Sequence, residues 1–541
     1  MPKVIRSDEV GNYIKDGAVI YSPGFGLAGF AEEVAVGIRQ SFQETGHPRD
    51  LTLYYATANG NFKDRGVAHY ALEGLLKRLV GGHFAVPGPA IQKLIMENKV
   101  EAYNLPQGIF VTMCRNIASK RPGIITKVGL GTFVDPRIDG GKLNQKAKES
   151  DDLVEIIQLD NEEWLYYKLP KLDVALVRGS VADERGNIND YREGLVVDGL
   201  SAAMAAKASG GIVIAQVEHI VQAGTLNPKQ VIIPGILVDY LVVAKPEWHY
   251  QTKGTYFNPA FTGELKLTVD SIKPMELNER KVVCRRAAME LSPNIVVNLG
   301  FGMPDAISNV CAEEKVSEHL YLTTEAGAIG GIPARHLDFG HAVNADCIIE
   351  TGYQFDFYDG GGLDIGFLGL GEVDRFGNVN VSKLGGRPIG CGGFINITQN
   401  AKKIVFCGTF TNGAVLEAAN GKLNIVQEGK RKKFVTDVEQ ITFSGKYAAA
   451  IGQPVLYVTE RAVFRLTQEG LELIEIAPGV NLENDILRHM DFKPIVKNVK
   501  LMPRGIFEKN WGGLAKILKS RSKQKKLNIL SGTVKTKASN Y

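Results

Sequence analysis

The sequence has no apolar run long enough to cross a bilayer without glycine, proline or charge, which argues against a membrane-spanning protein. Its six cysteines, Cys114, Cys284, Cys311, Cys347, Cys391 and Cys407, include no C-x-x-C pair, and its nine histidines form no H-x-x-x-H or Cys/His cluster. No metal is implied, His336 and His341 read as structural, and free thiols in a reducing compartment are the simplest account. The stretch Met1-Pro2-Lys3-Val4-Ile5-Arg6-Ser7-Asp8-Glu9 lacks an apolar core, so the expected location is the cytoplasm. A net charge of +4 over 541 residues is too small for a nucleic-acid surface. The basic residues crowd toward the C-terminus, from Lys493 through Arg521, Lys525 and Lys526 to Lys537, and read as a solvated tail.

What is abundant is glycine, with 60 residues, set between short apolar runs. The chain is too long for one core, and its length suggests roughly two to four domains. Residues 17–22 read as a strand, 23–30 as a glycine turn and 31–42 as a helix. This unit contains G-x-G-x-x-G, the dinucleotide fingerprint. The following strand, 51–57, runs into Ala58-Asn59-Gly60 without the acid that would hold a ribose, which argues against a nicotinamide cofactor. Further buried strands are expected at 172–177 and 211–215, with a helix over 199–209 between them. Strands separated by helices mean an α/β architecture with mostly parallel sheets covered on both faces.

The pattern breaks after residue 244 and restarts with a helix over 278–291 and a strand over 295–299. Two segments then repeat in order. Val19-Ile20-Tyr21-Ser22-Pro23-Gly24-Phe25-Gly26 matches Ile295-Val296-Val297-Asn298-Leu299-Gly300-Phe301-Gly302, and Asp183-Glu184-Arg185-Gly186-Asn187-Ile188-Asn189 matches Asp374-Arg375-Phe376-Gly377-Asn378-Val379-Asn380. The expected fold is two similar open α/β domains in one chain, with the site in the cleft between them. The expected division is 1–244, a linker over 245–278 with a short hairpin between Tyr250 and Asp270 as the alternative to a bare connection, a second domain over 279–496 and a basic tail over 497–541.

The candidate site centres on Leu322-Thr323-Thr324-Glu325-Ala326-Gly327-Ala328-Ile329-Gly330-Gly331, where one acid stands at the end of a β-branched run among small residues. Glu325 can serve as a nucleophile toward an activated acyl group, or merely accept hydrogen bonds from its loop. In α/β sheets ligands gather beyond the carboxyl ends of strands, where three glycine-rich loops fall: Gly300-Phe301-Gly302, the Glu325 loop, and Gly390-Cys391-Gly392-Gly393. If the strands before the first two are neighbours, the amides of Phe301 and Gly302 lie close to the Glu325 carboxylate, and the Gly393 N–H is a candidate to approach from the other side. Donors aimed at one oxyanion suit acyl transfer, and losing one typically costs about 3–4 kcal/mol of barrier.

These motifs resemble the family I CoA-transferases. Glu325-Ala326-Gly327 with Gly330-Gly331 is similar to the family's active-site loop, Asn298-Leu299-Gly300-Phe301-Gly302-Met303-Pro304 to the start of its second domain, and Pro23-Gly24-Phe25-Gly26-Leu27 to a segment of its first. Pro106-Gln107-Gly108 and Gly390-Cys391-Gly392-Gly393 complete the match, which runs in order from about Val10 to Asp491. The fused length and the Glu-Ala-Gly loop resemble the acetate/propionate CoA-transferase branch. The departures are Ser22-Pro23 before Gly24, Phe30 near the family's proline, and Ala326 where Asn or Ser is usual.

The resemblance implies transfer of CoA between a short-chain acyl-CoA and a carboxylate such as acetate or propionate, through a glutamyl-CoA thioester on Glu325. It implies oxyanion contacts from Phe301, Gly302, Gly392 and Gly393, and substrate contacts from Gln107, Gly24, Phe25, Gly26 and Asn298. Coenzyme A would be substrate and covalent intermediate, with no tightly bound cofactor and no nucleic-acid or membrane partner, in a dimeric or tetrameric homo-oligomer. The alternatives are an acyl-CoA hydrolase on the same scaffold and a non-catalytic sensor of CoA thioesters or sugar phosphates.

Overall fold

The computed structural model describes residues 1–268 and 274–530. Residues 269–273 of the expected linker and 531–541 of the expected tail lie outside them. The first sheet has eight strands: β1 (Lys3–Val4), β2 (Val19–Ser22), β3 (Leu51–Tyr55), β4 (Leu76–Gly81), β5 (Glu101–Asn104), β6 (Val174–Arg178), β7 (Ile212–Val217) and β8 (Tyr240–Val243). They lie in the order β1-β8-β7-β6-β2-β3-β4-β5, and every pairing is parallel. Parallel strands covered on both faces write unbroken apolar runs, and β6 is buried at every position.

The second sheet has ten strands: β9 (Val296–Leu299), β10 (Tyr321–Thr323), β11 (Ala328–Ile329), β12 (Cys347–Ile348), β13 (Ile365–Gly369), β14 (Ile404–Cys407), β15 (Val455–Val458), β16 (Ala462–Thr467), β17 (Gly470–Ile476) and β18 (Ile495–Leu501). Their order is β12-β11-β10-β9-β13-β14-β15-β16-β17-β18. The run from β10 to β15 is parallel, flanked on both sides by antiparallel pairs. Both sheets therefore grow the same way: a middle strand (β2, β9), a neighbour on one side (β3, β10), then strands added outward on the other (β6 to β8, β13 to β15).

The repeat extends to individual hydrogen bonds. Asp183 Oδ1 accepts from the amides of Arg185 and Asn187, and Asp374 Oδ1 accepts from those of Phe376 and Asn378, all at 2.9–3.0 Å. The Asn187 and Asn378 side-chain amides donate back to Asp183 and Asp374 at 3.0 and 2.8 Å. The repeated segment is thus a self-satisfying turn, which explains its composition without chemistry.

The segment read as a linker is more than a connection. His249, Gln251, Thr252 and Lys253 are all buried, and a tight turn closes where the Gln251 amide donates to Tyr256 O at 2.9 Å and the Thr252 amide to Thr255 O at 3.0 Å. The expected tail also starts later than 497: β18 pairs with β17 and holds Lys497 and Lys500 at exposed positions. Leu514 and Leu518 of the helix Gly513–Leu530 are buried in the second core.

Three helices join the two sheets' layers: α1 (Gln107–Ala118), α2 (Thr351–Asp359) and α3 (Phe394–Asn400). Phe355 of α2 and Ile395 of α3 belong to the same buried cluster as Ile109 and Phe110 of α1. Arg115 grips both carboxylate oxygens of Asp356 at 2.5 and 2.6 Å, a fork geometry stronger than a single contact.

Candidate active site

Glu325 follows β10 at its carboxyl end. β10 lies beside β9 with Asn298 opposite Thr323, so the two glycine loops beyond these strands are neighbours. Thr323 Oγ1 donates to the Val297 carbonyl at 2.9 Å and shares a 2.7 Å hydrogen bond with the Tyr358 hydroxyl. The chain then folds back at once, with the Thr324 amide donating to Ala328 O at 2.9 Å and the Gly327 amide to Thr324 O at 3.1 Å. Thr324 Oγ1 donates to Gly340 O at 2.8 Å and fixes the turn from behind. The carboxylate has no hydrogen-bond or ion-pair partner among the described residues, so the reading of Glu325 as a loop-capping acid finds no support.

Glu325 lines a cavity of about 230 Å³ together with His83, Phe301, Phe339, Gly392 and Gly393. A Cβ added at Gly393 would stand 2.4 Å from Glu325 Oε2 and 3.0 Å from the Phe355 ring, so any larger residue would push the carboxylate aside and crowd the ring. The other half of the chain holds this loop in place. The Gly392 amide donates to Gly82 O at 2.7 Å, the Gln107 amide to Gly392 O at 2.9 Å, and the Cys391 amide to Asn104 Oδ1 at 3.0 Å. Gly390, at φ +96°, lies so close to His83 and Gly82 that a Cβ would meet backbone at 2.5 Å. The wall facing Glu325 is therefore built jointly by the ends of β4 and β5 and the Gly390–Gly393 loop.

Burial raises the Glu325 carboxyl to about 7, opposed by the positive charge of Lys253. Lys253 is pushed down to about 8 by burial, against the pull of Glu325 and Asp338. Burial also holds His83 down at about 4, so its imidazole is neutral, and drives the Cys391 thiol far up. The ionisable groups poised near neutrality are the acid and the lysine, which is where site chemistry is expected. An ionised carboxylate in this setting can attack a carbonyl without a general base.

Of the residues singled out in the sequence, Glu325, Phe301, Gly392 and Gly393 meet at the cavity. Gln107 is fully buried beside Gly392, and neither atom of its side-chain amide has a hydrogen-bond partner among the described residues. Asn298 is buried behind the site, donating to the Tyr358 hydroxyl at 3.2 Å with its Oδ1 unpartnered. Gly302 is not a cavity residue, and its carbonyl accepts from Arg280. Gly24 and Gly26 flank Phe25, whose ring lies 6.2 Å from that of Phe339 in a cluster with Ala28, Leu195 and Ala326. Ala326 thus packs under an aromatic pair, where an Asn or Ser would bury a polar group.

Lys253, His83, Phe339 and Tyr358 were not marked in the sequence. Only tertiary folding brings them to Glu325; the one local signal is that Lys253 lies in a segment too rich in Trp, Tyr and Phe for a solvated connection. A larger cavity, about 810 Å³, lies elsewhere between Arg137 and Glu163 on one side and Asp374, Phe376 and Lys446 on the other, and contains no residue of this site.

Comparison with known proteins gives a consistent result. Residues 6–244 match the family model described as coenzyme A transferase. The caffeate CoA-transferase of Acetobacterium woodii is 49% identical over 527 residues, covering 96% of this chain and 100% of the relative. The acetate CoA-transferase YdiF of Escherichia coli K12 is 44% identical over 508 residues, covering 93% of this chain and 95% of the relative. The crystal structure of the acyl-CoA transferase YdiF apoenzyme from E. coli O157:H7 superposes with a TM-score of 0.89 at 42% identity, covering 95% of this chain and 97% of that one. The same enzyme has been solved as a thioester complex with CoA, and this chain matches that structure equally well.

Proposed function

Because the chain belongs to the coenzyme A transferase family, and so transfers CoA between an acyl-CoA and a carboxylate, we propose that Glu325 is the nucleophile that carries the CoA. The observation that supports this most is the close approach of Gly393 to an otherwise unpartnered carboxylate at a strand end. The Glu325 carboxylate attacks the acyl-CoA carbonyl, forming a mixed anhydride and expelling CoA as its thiolate. The thiolate then attacks the glutamyl carbonyl, releasing the first carboxylic acid as its anion and leaving a glutamyl-CoA thioester. A second carboxylate reverses both steps, and no proton changes hands in either direction.

Amides of Phe301 and Gly393 hold the oxyanions in this reading, and Gln107 reaches the substrate from the other half. Contacts to the remote part of CoA supply binding energy expressed in the transition state. The joint wall keeps out water, which would otherwise hydrolyse the anhydride and the thioester. A cavity of about 230 Å³ suits small carboxylates. Assembly as a homo-oligomer belongs to the same reading and rests on the family resemblance. Location in the cytoplasm is supported by the cysteines, all free among the described residues. No described helix is long and apolar enough to cross a membrane.

Intact-protein mass spectrometry tests the nucleophile directly. After mixing with an acyl-CoA, the protein should gain the mass of CoA, borohydride should inactivate it, and Glu325→Ala should do neither. A Glu325→Ala variant that still acquires CoA would overturn the assignment, and release of CoA without any acceptor would point to a hydrolase.

A further inference from the structure

Lys253 is the most anomalous charged residue of the molecule. The residue is only 8% exposed, yet it makes no ion pair and no hydrogen bond among the described residues. Other buried cations here have partners: Arg178 pairs with Glu193 at 2.6 Å, Lys281 with Glu313 at 2.8 Å and Arg461 with Glu460 at 2.9 Å, and Arg285 donates to the carbonyls of Ile506, Glu508 and Lys509. Removing an ammonium from water without a partner is costly, so a buried lysine left this way points to a ligand that completes it.

Its surroundings define that ligand. The Nζ lies 5.6 Å from the centre of the Phe25 ring and 5.9 Å from that of Phe339, and Phe339 lines the cavity with Glu325. Gly26 makes room for the stem, since a Cβ there would stand 2.8 Å from Lys253 Cγ. The acids that act on it electrostatically are Glu325 and Asp338, and it acts in turn on the neutral rings of His83 and His341. Asp338 is already engaged, accepting from Thr252 Oγ1 at 2.5 Å and Thr255 Oγ1 at 2.8 Å. One cation beside two aromatic rings, one of which lines the cavity of about 230 Å³ that holds Glu325, matches a small monoanion with an apolar body and is too confined for a nucleotide phosphate.

We infer that Lys253 receives the carboxylate of the acceptor acid, holding one oxygen at Nζ while the other faces the Glu325 carbonyl. The inference rests on the reading of Glu325 as the CoA carrier and names the group that selects its second substrate. The free oxygen bonds to the glutamyl carbonyl carbon as the C–S bond breaks and CoA leaves as thiolate. The thiolate then bonds to the acyl carbon of the anhydride, releasing the Glu325 carboxylate. Throughout, Lys253 keeps its proton and holds the same acyl oxygen, anionic in the free acid and in the tetrahedral intermediate and a neutral carbonyl in the anhydride and thioester, so it orients the acid without being consumed.

The test compares a charged with a neutral nucleophile on the CoA-loaded enzyme. Lys253→Met preserves the stem that packs on Phe25 and Phe339 but removes the charge. The acetate KM should rise by about 10- to 100-fold, the loss expected for a hydrogen bond to a charged group. The acyl-CoA KM and the cleavage of the glutamyl thioester by hydroxylamine, which has no carboxylate, should change by less than about 3-fold. Lys253→Arg should recover part of the acetate affinity. An unchanged acetate KM, or equal losses with acetate and hydroxylamine, overturns the inference. Should Lys253→Met fail to fold, Lys253→Arg against Lys253→Gln decides by the same readout. A wild-type protein that never acquires CoA would instead sink the reading of Glu325.

Discussion

The two sheets repeat one topology but end in different chemistry. After β2 and β3 the chain runs into Ala56-Thr57-Ala58-Asn59, and the Asn59 amide donates to the carbonyls of Ser22 and Pro23 at 3.3 and 3.1 Å, tying its own loop together. After β9 and β10 the corresponding position is taken up by Thr324 and Glu325, and the carboxylate is left unbonded. One half thus uses its strand ends to consolidate the fold, and the other keeps an unsatisfied acid there. The first half contributes walls instead: Gly82, His83, Asn104 and Gln107, with Phe25 behind. In the proposed function, a duplicated architecture supplies a nucleophile on one side and its enclosure on the other.

The sharpest break in this comparison is Glu325→Ala, which should lower transfer by at least about 10³-fold while leaving the fold intact, measured as acetate-dependent CoA exchange. Gly393→Ala comes next. The added methyl meets the carboxylate and Phe355, and displacing a nucleophile by a fraction of an ångström should cost about 10²-fold in kcat/KM with secondary structure unchanged by circular dichroism.

The pH dependence should be a narrow bell. In the proposed mechanism Glu325 attacks only when ionised, so activity rises as pH passes about 7, and with Lys253 acting as inferred, protonated, activity falls above about 8. The same shift acts on stability in the opposite sense. A carboxyl raised above its ordinary value favours the fold at acid pH, and that contribution is lost as pH climbs through about 7. Glu325→Gln should therefore stabilise the protein more at pH 8 than at pH 5, by on the order of 1–3 kcal/mol in denaturant titrations. Equal effects at both pH values would show that the carboxylate is not desolvated.

The smallest effect falls where the halves are alike. Asp183→Ala and Asp374→Ala each strand two backbone amides and should each lower stability by about 1–3 kcal/mol with kcat nearly unchanged. A large loss of turnover in one of them alone would mean that the duplicated turn has a chemical role on that side.

The strands and the glycine loops were legible in the sequence because both obey local rules. A parallel strand buried on two faces must be apolar throughout, as Val174–Arg178 nearly is, and glycine marks a backbone pressed against another backbone, as at 390, or against side chains, as at 393. Glu325 was legible because an acid directly after a β-branched strand has little structural reason to be there. Lys253 was not, because polar residues of 245–278 look solvated until their partners are known: His249 with Glu193 at 3.2 Å, Gln251 with Arg192 O at 3.0 Å, Thr252 with Asp338. The last strand was hidden for the related reason that β18 lies at a sheet edge, with Lys497, Asn498 and Lys500 exposed.

The wall opposite Glu325 is stitched from both ends of the polypeptide, through Gly82, Asn104 and Gln107 on one side and Cys391 and Gly392 on the other. Supplied as two separate pieces, 1–268 and 274–541, the chain would have nothing to catalyse with until they met. Turnover would then scale with the square of concentration on dilution, and the midpoint of that curve would measure how tightly the enclosure holds its nucleophile.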